Sequence, residues 1–395
     1  MRILQVIPSY FPAIRYGGPI FATHALSKAL VARGHAVEVY TTGATGENGA
    51  PTPPGRQEMD GVVVHYFGTE WFRRLAWAPS LGRELGGEIG KFNVVHLQSV
   101  FLWPTWKGAR LARSANRPYI VSPRGMLVKD LIRRRNRAVK SAWIALIEKS
   151  NLQHASAIHA TSEREAQDLL RFGWTLPPIV TIPNGIEAET PAGAVSSDVS
   201  AATRDRPYAL FLGRLSWKKG LDRLIHAFSR VGEGFLVIAG TDDEGLSRPL
   251  LKLSADLGIA DRIHILARTV SGTDKQHLYR SARVFALPSH SENFGNTVLE
   301  AMRVGLPVVI TPEVGSAEIV AKAGGGAVVA AEPALFAAAL DRFLRDHEFA
   351  KETGHAGERY VRQNCSWDAV ASAMEILYRK VVSRRRVSPE SIGQC

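Results

Sequence analysis

The chain has 395 residues, too many for one ordinary core, so two domains of about 190 residues each are expected. A hydrophobic content of 45% in a mixed composition excludes a disordered or fibrous chain. The two cysteines, Cys365 and Cys395, are too few for a disulfide framework and fit a reducing cytosol, while a net charge of +12 favours anionic partners.

From the N-terminus, Met1-Arg2-Ile3-Leu4-Gln5-Val6-Ile7-Pro8 is too short an apolar run for a secretory signal and reads as a buried first strand. No apolar run in the chain reaches the roughly 18–20 residues that a membrane span needs. Tyr16-Gly17-Gly18-Pro19 follows, then a helical pattern from Phe21 to Arg33 with Gly34-His35 as its stop. Further strands are predicted at 36–41, 62–67, 93–97, 118–122, 157–161 and 179–182. Their alternation with helical patterns predicts a parallel, doubly wound sheet over 1–187. Asn184-Gly185 marks a turn, and 188–206, rich in Ala, Ser, Thr and Pro, is expected to be the linker. A second alternating series over 207–366 places strands near 208–213, 235–239, 263–267, 283–287, 306–310 and 326–330. The last amphipathic stretch begins at Trp367 and is assigned to 367–386. No 20–50-residue repeat interrupts this scheme.

Two segments of the second half carry chemistry. The first is Gly213-Arg214-Leu215-Ser216-Trp217-Lys218-Lys219-Gly220, at the end of a predicted strand. The second runs from Pro288 to Glu300 and holds Glu292 and Glu300 around the turn Asn293-Phe294-Gly295-Asn296, which leads into an apolar helix. Backbone N–H groups at such a helix start are poorly paired and carry partial positive charge, so they suit a phosphate. Carboxylates accept hydrogen bonds and suit the hydroxyls of a sugar. Thr297-x-x-Glu300 is also a capping-box pattern, in which Glu300 only closes the helix start.

Glu-x7-Glu, with Phe-Ala-Leu-Pro-Ser (285–289) before it and Ala-Met-Arg-Val-Gly-Leu-Pro-Val-Val (301–309) after it, resembles family 4 of the retaining glycosyltransferases. The Gly213–Gly220 motif belongs to the same pattern, and the resemblance spans nearly the whole chain. It implies a GT-B fold: two Rossmann-like domains facing a central cleft, the second binding a nucleotide-sugar donor and the terminal helix crossing back to the first. It further implies that Arg214 and Lys219 face the donor diphosphate, that Glu292 lies by the donor sugar and that Glu300 holds the ribose. Asn293, Phe294, Gly295 and Asn296 would present backbone amides to the sugar and diphosphate. Phe294 can equally be a plain core residue. Gly17 and Gly18 would let the first-domain loop approach the diphosphate. The substrate is then a UDP- or GDP-linked sugar, with no separate cofactor. No Asp-x-Asp motif or His/Cys cluster points to a metal, and Asp242-Asp243-Glu244 reads as a solvated loop.

His96-Leu97-Gln98 and Ser122-Pro123-Arg124-Gly125 end two predicted strands of the first domain. Many relatives carry histidine where Arg124 stands, and a guanidinium cannot act as a base. Arg124 is therefore assigned to a phosphate or to the acceptor, with His96 either beside it or an ordinary strand residue. Between Lys107 and Lys140 there are eleven basic residues and one acid, Asp130. Trp71-Phe72-Arg73-Arg74-Leu75-Ala76-Trp77 interleaves aromatics with arginines, and Phe101, Trp103 and Trp106 precede the basic block. This suggests a cytoplasmic enzyme that meets an anionic bilayer face, where a polyprenyl-diphosphate-linked or other glycan acceptor would lie. A basic helical surface over core tryptophans is the alternative. Segments 122–127 and 159–165 resemble bacterial exopolysaccharide and lipopolysaccharide glycosyltransferases. A nucleic-acid-binding protein would use the basic block but leaves Glu292, Glu300, Arg214 and Lys219 unexplained. A nucleotide-sugar epimerase shares twin Rossmann domains, while a dehydrogenase would need the GxGxxG fingerprint that Tyr16-Gly17-Gly18-Pro19 lacks.

Overall fold

The computed structural model describes residues 1–13, 17–43, 51–129, 132, 141–187, 193–203 and 207–384. Tyr16, Asp130, most of the basic run 130–140 and Cys395 lie outside the described residues. The chain forms two compact units, Met1–Gly185 with Trp367–Cys395, and Ile186–Ser366.

The first unit is built on an eight-stranded sheet. Its strands are β1 (Arg2–Ile7), β2 (Ala36–Thr42), β3 (Gly55–Met59), β4 (Val62–Phe67), β5 (Val94–Gln98), β6 (Tyr119–Ser122), β7 (Ala157–Ala160) and β8 (Ile179–Thr181). Their order is β3-β4-β2-β1-β5-β6-β7-β8, parallel except for β3. The inner strands are apolar on both faces, as a sheet covered on both sides requires. Strand β3 is the element that hydrophobic patterning misses, because nearly all of it is exposed. Its signal is Asp60-Gly61, a two-residue loop with both φ positive, 51° and 77°, which is the hairpin-turn geometry.

The first helix runs Gly18–Ala32, one turn earlier than its apolar spacing suggests, with Gly17 at φ 88° as its N-cap and Pro19 in the first turn. The helix Trp367–Ser383 packs on the same face of this sheet, burying Val370, Met374, Leu377 and Tyr378 in one cluster with Ile3, Ile7, Val94 and Ile120. Arg33, at the end of the first helix, holds this last helix through Asp368 at 2.9 Å and Glu375 at 3.2 Å.

The second unit has a six-stranded parallel sheet. It comprises β9 (Tyr208–Leu212), β10 (Phe235–Ala239), β11 (Ile263–Leu266), β12 (Val284–Leu287), β13 (Val308–Ile310) and β14 (Gly326–Val328), in the order β11-β10-β9-β12-β13-β14. The segment read as a linker is more ordered than its composition implies. Ser197–Ala202 is a helix whose Val199 and Ala202, three positions apart, enter the core of this unit. Arg268 secures that helix, donating from Nε to Asp198 Oδ2 at 2.7 Å and from Nη2 to Asp274 Oδ2 at 2.9 Å.

In both sheets the chain winds first to one side and then to the other. The direction reverses between β1 and β5 in the first unit and between β9 and β12 in the second. Loops leaving the C-terminal ends of such neighbouring strands splay apart, and the crevice they leave is where open α/β sheets bind ligands.

Candidate functional site

In the second unit, the loops after β9 and β12 carry the two segments singled out in the sequence. Leu215 is buried and anchors the first loop, with its N–H on the Thr241 carbonyl at 2.8 Å. Gly220 closes that loop at φ 66°, a left-handed conformation that disfavours a side chain. A Cβ there would stand 2.1 Å from the Pro288 carbonyl oxygen. The His290 N–H donates to the Lys218 carbonyl at 2.7 Å. The two segments are thus one assembly, and the closing glycine of the first is required by the start of the second.

Lys219 Nζ donates to Glu292 Oε2 in a close, partly buried ion pair. Arg214 is exposed, and among the described residues its guanidinium makes no hydrogen bond or ion pair. The Glu292 backbone is fixed from both sides: its N–H donates to the Glu313 carbonyl at 3.1 Å, and its carbonyl accepts from the Gly315 N–H at 3.0 Å. Gly295, at φ 86°, turns the chain into the helix Asn296–Arg303. The N–H groups of Phe294 and Gly295 donate to no other backbone carbonyl among the described residues. Phe294 is 3% exposed and its ring belongs to the core, so its contribution at the site is confined to its backbone.

The capping-box reading of Glu300 fails. The helix already begins at Asn296 and has no side-chain cap, and Glu300 faces the helix Gly272–Ser281 instead. There it accepts from Lys275 Nζ and from the Tyr279 hydroxyl, each at 2.8 Å. Burial and this carboxylate push the Tyr279 phenol well above its ordinary range, so it stays a donor. Lys275 and Tyr279 escaped the sequence reading, although their i,i+4 spacing puts them on one helix face. The acidic trio is also more engaged than expected. Glu244 accepts from the Ser216 hydroxyl at 2.9 Å and the Trp217 N–H at 3.0 Å, and Asp242 accepts from the Leu246 and Ser247 N–H groups at 2.6 and 2.9 Å. Among the described residues no group of three or more His, Cys, Asp and Glu is placed to hold a metal ion.

The first unit presents a different picture. His96 lies mid-sheet, fully buried, with Nδ1 on the Tyr378 hydroxyl at 2.8 Å and Nε2 on the Ser122 hydroxyl at 2.7 Å. Both ring nitrogens are taken, so His96 does not stand at the acceptor, as the sequence allowed; it is a structural residue. Ser122 also meets His159 Nδ1 at 2.7 Å, and His159 Nε2 reaches the Ile182 carbonyl at 2.9 Å. Burial holds both imidazoles neutral, His96 well below its ordinary range and His159 pushed down to about 3. From Tyr378 the row continues through Gln5 Nε2 at 3.3 Å to Gln98, whose Nε2 donates to Gln5 Oε1 at 2.9 Å. Gln98 Oε1 in turn accepts from Arg124 Nε at 2.8 Å. Arg124 and the start of the first helix at Gly17 and Gly18 both lie beyond the C-terminal ends of strands of this sheet, on its ligand-binding side. Of the aromatics, Phe101 and Trp103 pack on the core, whereas Trp71 and Phe72 are 89% and 61% exposed.

Two consecutive Rossmann-like units, the second bearing a cation-rich loop and a Glu-x7-Glu segment at its switch point, define the GT-B class. Residues 196–360 match the family described as "Glycosyl transferases group 1", and residues 17–185 match "Glycosyl transferase 4-like domain". The chain is 27% identical to an uncharacterized glycosyltransferase of Methanocaldococcus jannaschii, over 96% of this chain and 98% of that one. It is 28% identical to a D-inositol 3-phosphate glycosyltransferase of Xylanimonas cellulosilytica, over 91% of each. Among solved structures it is similar to a sucrose-phosphate synthase from Thermosynechococcus elongatus, with a TM-score of 0.75, 21% identity and coverage of 97% and 99%. Anabaena HepE in complex with UDP-glucose has a TM-score of 0.73, 18% identity and coverage of 96% and 100%. WaaG, a glycosyltransferase involved in lipopolysaccharide biosynthesis, has a TM-score of 0.68, 16% identity and coverage of 95% and 99%. The chain belongs to family 4 of the GT-B glycosyltransferases.

Proposed function

We propose that this glycosyltransferase moves a hexose from a nucleoside-diphosphate sugar to a hydroxyl of a glycan or lipid-linked saccharide, with retention of configuration, in the assembly of a bacterial surface polysaccharide. The observation that carries this reading is the grouping of Arg214, Lys219, Glu292 and the Gly295 turn at one switch point. As the glycosidic C–O bond lengthens, negative charge builds on the departing diphosphate and positive charge on the sugar carbon. Arg214 can fork to two phosphate oxygens, and Lys219 supplies a point charge already oriented by Glu292. Glu292 then faces donor hydroxyls, and Glu300, fixed by Lys275 and Tyr279, accepts from the ribose. Backbone amides of 293–296 meet the sugar and phosphates, and Gly17 and Gly18 are assigned to the donor by the same family pattern.

For retention, the acceptor oxygen forms its bond to the sugar carbon on the face from which the phosphate leaves. Its proton passes to a departing phosphate oxygen, so the products are the new glycoside and the nucleoside diphosphate. Trapping a covalent glycosyl-enzyme would refute this step. Turnover is expected to persist in excess chelator, since the positive charge facing the leaving group comes from side chains.

HepE, whose complex contains UDP-glucose, and WaaG, which acts in lipopolysaccharide biosynthesis, support a UDP-linked donor and a surface-glycan role. Trp71 and Phe72, exposed beside Arg74, support peripheral contact with an anionic cytoplasmic leaflet. Loss of co-flotation with anionic vesicles at low salt in W71S/F72S tests that contact. Among the described residues no helix is long and apolar enough to cross a membrane.

The deciding experiment is a melting-point comparison with UDP, GDP and NAD, followed by a panel of nucleotide sugars scored for slow hydrolysis. A ligand bound by the native state alone raises the melting point. UDP or GDP is expected to do so. A shift with NAD only would overturn the reading, and interconversion of the sugar without transfer would favour an epimerase.

A further inference from the structure

The first unit holds a buried guanidinium with no anionic partner among the described residues. Arg124 is 9% exposed and sits at φ 56°, left-handed without being glycine. Such a conformation persists only where its surroundings hold it, and it clusters at ligand sites. Two neutral amides do the holding: Nε donates to Gln98 Oε1 at 2.8 Å and Nη1 to Asn184 Oδ1 at 3.1 Å. Among the described residues no carboxylate lies within 4.0 Å of it.

Glu165 is the acid whose charge acts on Arg124, but both its oxygens are committed elsewhere. Oε1 accepts from the Gly125 N–H at 2.6 Å, and Oε2 accepts from the Thr161 N–H at 2.7 Å and the Thr161 hydroxyl at 2.8 Å. His96, His159 and the Tyr378 phenol, the other titratable groups nearby, are neutral and offer no negative charge: burial holds the imidazoles below and the phenol above their ordinary ranges. Nη2 of Arg124 makes no hydrogen bond among the described residues, and it is not among the fully buried atoms that lack a partner.

A charge removed from water without a counter-ion is costly, and buried charges are ordinarily paired. A guanidinium tied down on two nitrogens, with the third unengaged among the described residues, is preorganised for an oxyanion. It stands beyond the C-terminal ends of β5 and β6, on the ligand-binding side of the sheet. We propose that Arg124, clamped by Gln98 and Asn184, is the receptor for an oxyanion carried by the acceptor, which makes the acceptor a phosphorylated or carboxylate-bearing saccharide. This rests on the glycosyl-transfer reading and adds the acceptor's chemical class to it.

The test uses the full chain with inorganic phosphate and acetate as probes at constant ionic strength. In the R214A/K219A variant, which lacks the second-unit cations, phosphate is expected to raise the melting point. Acetate doing so more strongly would assign the carboxylate source instead. Adding R124Q should abolish the shift, and R124K, which keeps the charge but not the fork, should retain part of it and serves if R124Q does not fold. In the otherwise native chain, R124Q should leave UDP and GDP affinity within about twofold, because a charge-assisted pair lost from the donor site would weaken it far more. An anion shift that survives R124Q overturns the proposal. So does a loss of roughly tenfold or more in nucleotide affinity, which would give the oxyanion to the donor. Neither outcome touches the nucleotide-binding result that tests the proposed function.

Discussion

The two switch points use charge in opposite ways. In the second unit, ionised groups stand near the surface and come in pairs, Lys219 with Glu292 and Lys275 with Glu300, leaving Arg214 unengaged among the described residues. Each pair is half-prepared for a ligand: a carboxylate held in place by its cation still has lone pairs for a hydroxyl. In the first unit, the residues beneath the strand ends are neutral and buried, a row from His159 through Ser122, His96, Tyr378 and Gln5 to Gln98, ending at one cation. The first arrangement is suited to developing charge, and the second to holding a framework rigid around a single charge.

The largest expected effect breaks the comparison on its charged side. R214A and K219A should each lower kcat on a nucleotide sugar by on the order of 10²–10³, about 3–4 kcal/mol, with little change in melting point. Unchanged turnover would remove the electrostatic role from this loop. A smaller effect sharpens the division of labour within it. E300Q keeps the shape but loses the charge, and should weaken UDP or GDP binding by roughly 10–100-fold, about 1.5–3 kcal/mol, measured by calorimetry.

The smallest effect concerns the neutral row. The folded-state pKa of His159 is pushed down to about 3, against about 6.5 in an unfolded chain. Between these values the unfolded state binds the extra proton, so stability is full above pH 6.5 and falls as pH drops below it, by about 1.4 kcal/mol per unit. Urea unfolding at pH 7.5, 6.5 and 5.5 should show at least this slope, because His96 is also held neutral by burial, and H159Q should reduce it by about 1.4 kcal/mol per pH unit without abolishing it. An equal slope in H159Q would place the acid sensitivity elsewhere.

How much of this was legible follows the same division. The parallel strands could be read because they are short apolar runs bounded by turns, and the second-unit site could be read because its residues fall in two contiguous segments. What those segments do not contain is their support: Lys275, Tyr279 and Glu244 reach them only through tertiary packing. The buried row was illegible for a stronger reason. Its members come from β1, β5, β6, β7 and the last helix, and His96 meets Tyr378 across 282 positions. Nothing local distinguishes such a histidine from one at an open strand end, which is why sequence alone admits His96 beside the acceptor. The helix inside the expected linker was hidden by composition, since Val199 and Ala202 alone mark its buried side.

The seat of Tyr378 has a consequence for biosynthesis. The first unit needs the helix Trp367–Ser383 to cover the face of its sheet, yet all of Ile186–Ser366 is synthesised in between. At ordinary elongation rates that is a wait of about 10–40 s, during which Gln5 and His96 lie uncovered and the later unit can fold first. The earlier-translated half of this enzyme is therefore the later one to be completed, and a fragment cut at Gly185 would lack the piece that closes it.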